Sequence, residues 1–158
     1  MNPNLQLHGV FVRRINLDTN ALPQEIGNVA QRNFEFKMNL RNDWRPLGGI
    51  NEYAATMTLT LSATVDGREV EVGEFVLEVA ATLENFDEVG KQQVLNYFLP
   101  NQALPYLREL VSNMTGRTGF PQVVLPALLY QPTAPDTQQP ALEGTPPAIE
   151  GAKTNLLH

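Results

Sequence analysis

Tyr53-Ala54-Ala55-Thr56-Met57-Thr58-Leu59-Thr60-Leu61-Ser62-Ala63-Thr64-Val65-Asp66-Gly67 is the stretch on which the fold turns. Tyr53, Ala55, Met57, Leu59, Leu61, Ala63 and Val65 share one parity, and Thr56, Thr58, Thr60, Ser62 and Thr64 fill the other. A strict period of two marks a half-buried strand, because successive side chains leave a strand on opposite faces. The polar parity is a threonine ladder, and β-branched Thr suits the solvated side of a sheet. Asp66-Gly67 then supplies the two turn residues of a hairpin. The returning strand starts with Val70 and Val72 in one phase and resumes with Phe75, Leu77, Val79 and Ala81 in the other. That slip at Gly73 predicts a β-bulge within one strand.

Upstream, Phe34, Phe36, Met38 and Leu40 alternate with Glu35, Lys37, Asn39 and Arg41, which predicts another strand. Before it, Leu5, Leu7, Phe11, Ile15 and Leu17 share a parity interrupted by Gly9 and Arg13. Four strands with no helix between them predict an antiparallel sheet. Downstream the period changes. Asp87 is placed to cap a helix over Glu88–Phe98 that Pro100 ends, and Asn101 to cap a second helix through Met114. On that helix Leu107, Leu110, Val111 and Met114 form one face. Strands first and helices second is an α+β arrangement: a four-stranded antiparallel sheet with C-terminal helices on one face. One domain is expected over residues 1–130. Five of the twelve prolines fall in 131–158, which reads as a disordered tail.

The inventory of reactive groups is thin. With no cysteine, thiol nucleophiles and disulfides are excluded, and the only histidines are His8 and His158. A Cys-His dyad or a His-rich metal site is therefore not available. Glu69, Glu71, Glu74 and Glu78 read as the solvated face of a strand, and Asp87 and Glu88 as first-turn helix residues. Leu47-Gly48-Gly49-Ile50 lacks the lysine of a phosphate-cradling loop. No enzyme activity, cofactor or metal is expected. A net charge of −6 argues against general nucleic-acid binding. No apolar run is long enough to span a membrane, and Met1-Asn2-Pro3-Asn4 does not open a secretory signal, so the expected location is the cytoplasm.

One segment carries a resemblance. It runs Leu99-Pro100-Asn101-Gln102-Ala103-Leu104-Pro105-Tyr106-Leu107-Arg108-Glu109 and continues through Met114 to Thr118-Gly119-Phe120-Pro121-Gln122, then Leu125 and Pro126. This closely resembles the most recognisable stretch of the SecB protein-export chaperones. Over residues 5 to 130 the resemblance implies a tetramer, a dimer of dimers, that wraps non-native polypeptide in apolar grooves without nucleotide. It also implies delivery of preproteins to the SecA ATPase. The candidates for client contact are Phe34, Phe36, Met38 and Leu40 on the second strand, Trp44 and Leu47 in the loop after it, and Tyr97, Phe98 and Tyr106 near the helices. Phe34, Phe36 and Met38 equally suit the core face of the sheet. Tyr106, Arg108 and Glu109 belong to the family signature and read as architectural.

For SecA docking the resemblance implies an acidic face on the first and fourth strands, with Asp18, Val76 and Glu78 at matching places. Arg14 stands where typical members carry an acid. Lys153 and His158 are all that remain of a basic tail segment. Two other functions stay open. One is a SecB-like chaperone dedicated to one client, such as an antitoxin; the other is a small-ligand binding protein using the helix–sheet cleft.

Overall fold

The computed structural model describes residues 1–20, 22, 34–118 and 122–127. The expected tail 131–158 lies outside them, as does the side chain of Phe34. Four strands, β1 (Asn4–Leu17), β2 (Phe34–Pro46), β3 (Glu52–Val65) and β4 (Arg68–Glu84), form one antiparallel sheet in the order β1-β4-β3-β2. Asp66 and Gly67 turn β3 into β4 with φ of 49° and 78°, the left-handed pair that a tight hairpin requires. The bulge on β4 sits where the phase slip placed it, between the partners of Leu61 and Ser62.

Helical structure follows on one face. Asp87 caps α1 (Glu88–Gln93), its carboxylate accepting from the Gly90 N–H at 2.8 Å. A π-helical turn, Val94–Phe98, leads directly into α2 (Leu99–Gly116). Pro100 therefore does not end a helix, and Asn101 does not start one. The wider turn explains why. Leu99 donates back five residues to Val94, and Pro100, which has no N–H, takes a place in the first turn of α2 where a donor is dispensable.

The core lies between the sheet and the helical segment. Met57, Leu59, Leu61, Phe75, Leu77 and Val79 from β3 and β4 meet Leu95, Leu99, Leu107 and Val111. Each such side chain contributes roughly 1.5–3 kcal/mol of transfer free energy. After α2, buried Thr115 anchors the exit: its hydroxyl donates to the Val111 carbonyl at 2.8 Å and accepts from the Val123 N–H at 2.9 Å. Arg108 Nε donates to the Leu125 carbonyl at 3.1 Å, so this signature residue is architectural within the chain.

β1 is the element that departs most from its sequence reading. Its register against β4 shifts between Leu7 and Gly9 and again between Val12 and Arg14. Each shift inverts the alternation. Leu5, Leu7, Val10, Val12, Ile15 and Leu17 consequently lie opposite core-facing residues of β4, whereas Phe11 lies opposite Glu78 on the outer face. Helix α2 packs on β4 and β3, and Leu7, Val12 and Ile15 stay exposed.

Candidate functional site: two faces of an open sheet

The helix-side margin of the sheet is built where the π turn meets β2. Residues on the core phase of β2 pair with the core phase of β3, so Phe36, Met38, Leu40 and Trp44 lie opposite Ala63, Leu61, Leu59 and Ala55. Phe36 and Met38 are each 8% exposed and belong to the core of the chain, the alternative their parity offered. Phe34 begins the strand opposite Val65. Leu40 and Trp44 are half-buried at the margin of the core.

Trp44 was expected in a loop, but it is a strand residue. Arg41, Asp43 and Arg45, its polar neighbours in sequence, are the outward phase of β2. Its ring meets Tyr53 edge-on, centroids 6.1 Å apart, and Lys91 Nζ lies 4.8 Å from the Tyr53 ring centre. Asn42 Nδ2 reaches the Asn96 carbonyl on the π turn at 3.5 Å, tying β2 to the helical segment. Leu47 is half-buried just after β2, its N–H donating to the Glu52 carbonyl at 2.8 Å. Tyr97 is half-buried on the π turn, and Phe98 and Tyr106 are exposed. Ile50 at the β2–β3 turn and Val89 on α1 are among the exposed apolar residues that the sequence does not mark as contacts. An isoleucine beside two glycines in a turn was the available signal for the first.

The outer face carries charge. Glu78, expected on a solvated strand face, is only 4% exposed. Arg13 Nε donates to Glu78 Oε1 at 3.1 Å and Arg13 Nη2 bonds the same oxygen, while Arg45 Nη2 donates to Oε2 at 3.1 Å. Burial alone would push the Glu78 carboxyl up, but the hydrogen bonds and charges of Arg13 and Arg45 outweigh it and hold it below its ordinary value. Glu78 is thus a neutralised acid beneath two cations. Arg14 Nη1 pairs with Glu74 Oε1 at 2.8 Å. Val76 is half-buried between Arg14 and Thr58. Asp18 is exposed at the end of β1, its backbone N–H donating to the Val72 carbonyl at 2.7 Å and its carboxylate accepting from the Asn20 N–H at 2.9 Å. Among the described residues no group of three or more His, Asp or Glu could hold a metal ion.

These surfaces sit on a chain whose residues 1–132 match the family described as "Preprotein translocase subunit SecB". The chain belongs to the SecB family. It is 24% identical over 140 residues to the protein-export protein SecB of Halorhodospira halophila, covering 89% of this chain and 79% of that one. With the SecB of Psychrobacter arcticus it shares 28% identity over 147 residues, covering 90% and 94% respectively. The fold is similar to that of the SecB-like chaperone of Mycobacterium tuberculosis, solved in complex with a peptide from the HigA1 antitoxin. The TM-score is 0.62 at 16% identity, over 78% of this chain and 90% of that one. The SecB fold, an open four-stranded sheet with its helices on one side, is what the strand parities implied.

Proposed function

We propose that this SecB-family chain is an ATP-independent holdase that binds non-native polypeptides and keeps preproteins competent for export. One observation carries the reading. Apolar side chains remain exposed on the fold: Leu7, Val12 and Ile15 on β1, Ile50 in the β2–β3 turn, Val89 on α1, and Phe98 and Tyr106 on the helical segment. A monomer rarely leaves that much apolar surface uncovered without a partner for it. The margin residues Leu40, Trp44, Leu47 and Tyr97 supply half-buried aromatic and aliphatic contact, suited to clients of varied sequence. Many modest contacts along one extended chain then add up through effective concentration.

In this reading the chain works in the cytoplasm as a homotetramer, the β1 strip being covered by assembly, and it carries no catalytic role. SecA is the proposed receiver, meeting the outer face through Asp18 and Val76, with Glu78 beneath. The test is light scattering of a chemically denatured client diluted into buffer without nucleotide. Aggregation should slow at stoichiometric tetramer, and a monomer that leaves it unchanged would sink the reading. A SecA titration of wild type against Arg14→Asp then addresses delivery. If only the variant binds, the chain does not serve SecA in its present form.

A second reading has its own support: the similar chaperone of Mycobacterium tuberculosis holds an antitoxin peptide. A chaperone dedicated to one small client would co-purify with that protein and show no SecA affinity.

A further inference from the structure

The geometry of the outer sheet face points to a docking site for an acidic, linear segment of a partner protein. We infer that Arg13 and Arg45, held over Glu78 and flanked by Arg14 and Arg41, form that site. It lies on the side of the sheet away from the helical segment.

The construction starts in β1. Neighbouring strand residues normally point to opposite faces, but the register shift between Val12 and Arg14 breaks the alternation. Both arginines then serve the outer face, Arg13 bonding Glu78 and Arg14 bonding Glu74. From the other edge of the sheet, Arg45 reaches over β3 to the second oxygen of Glu78. Arg13 is further held by the Phe11 ring, 5.3 Å from ring centre to guanidinium carbon. That ring lies over Gly9, where a Cβ would stand 3.2 Å from Phe11 Cζ.

A buried carboxylate therefore fixes two guanidinium groups without satisfying them. A guanidinium has five N–H donors. Glu78 takes two from Arg13 and one from Arg45, and the two side chains remain 53% and 57% exposed. Two positive charges over one negative leave a net +1. Arg41, exposed on the row next to Asp43, adds a further cation. Across the rows from Glu74 to Arg45, four arginines (13, 14, 41 and 45) face three acids (Asp43, Glu74 and Glu78), with Glu52 one row beyond Arg45, on a chain of net −6. Between them lie Phe11 and Val76, with Thr56 and Thr58 on β3, over buried Ala54 and Ala80.

Held guanidinium groups forfeit little side-chain entropy on binding, and their planar forks match carboxylates. An extended segment alternating acidic and aliphatic residues would set carboxylates on the arginines and aliphatic groups on Phe11 and Val76.

The probes are two fluorescein-labelled peptides, (Glu-Leu)4 and (Lys-Leu)4, titrated against the full-length assembly in about 0.15 M salt, where charges farther than about 8 Å are screened. The acidic peptide should bind more tightly, although the protein is acidic overall. Arg13→Gln and Arg45→Gln should each weaken it on the order of tenfold, the loss of one charge-assisted contact. Suppression of client aggregation should be unchanged in both, which separates this site from the holdase function. Arg41→Gln, which removes a cation without touching Glu78, should weaken the peptide about threefold even if the other variants fold poorly. The proposal is overturned if the basic peptide binds as well as the acidic one. It is equally overturned if the arginine variants bind as wild type does, or if Trp44→Ala on the opposite face abolishes binding of both peptides, which would make them clients.

Discussion

Arg45 bonds Glu78 at 3.1 Å across an intervening strand: Arg45 lies on β2, Glu78 on β4, and β3 runs between them. With Arg13 reaching in from β1, one carboxylate connects both edges of the sheet to an inner strand.

The coupling should be non-additive. Removing either arginine leaves Glu78 one partner, and because both side chains are more than half exposed, each loss should cost only about 1 kcal/mol. Arg13→Gln with Arg45→Gln strands a buried carboxylate, for which about 3 kcal/mol or more is expected. Denaturant midpoints of the two single variants and the double variant, at one protein concentration, check this. Additive losses would show that the two pairs act independently.

Acid should undo the same feature. The folded state holds Glu78 below its ordinary value of 4.5, so its stabilisation is present above that value and is lost as pH falls through the lower folded value. Glu78→Gln has no such carboxyl. The stability gap between wild type and this variant should be constant at neutral pH and narrow below about pH 4.5.

The parities of β3, β4 and the inner phase of β2 were legible because each strand keeps one phase or breaks it at a glycine. Glu78 was not legible. Its partners lie 65 and 33 residues away in sequence, and a glutamate among Glu69, Glu71 and Glu74 looks solvated until the sheet brings Arg13 and Arg45 to it. Trp44 was misplaced because Arg41, Asp43 and Arg45, the outer phase of a strand, resemble a polar loop when read without the inner phase. Pro100 looks like a helix stop in the sequence because a π turn has no compositional mark.

Gly73 should resist substitution. A Cβ there would stand 2.7 Å from the Asn16 carbonyl oxygen, a backbone atom with little room to yield. Gly73→Ala should cost about 1–3 kcal/mol, read as a lower melting temperature. Gly48→Ala, where nothing lies within 4 Å of the new methyl group, should stay within about 0.5 kcal/mol of wild type.

Asn42 should govern how firmly the π turn sits on β2. Its amide reaches the Asn96 carbonyl, to which residue 100 would donate in a regular α-helix if it were not proline. Asn42→Ala should cost about 1 kcal/mol. Hydrogen exchange should quicken at Val94–Phe98 while amides of β4 keep their protection. Equal acceleration in both would show that the contact serves the whole fold.

The two register shifts of β1 act as a frameshift followed by its correction. Upstream of His8 and downstream of Arg13 the strand reads in one frame, and the few residues between them read in the other. Deleting one bulge residue, His8 or Arg13, would remove one shift and leave every other residue facing as before. Deleting both would restore a plain alternating strand in which Phe11 and Arg14 still face outward, without Arg13 beside them. This edge can therefore gain or shed an outward side chain by a single-residue event, with its pairing to β4 and the core beneath it left in place.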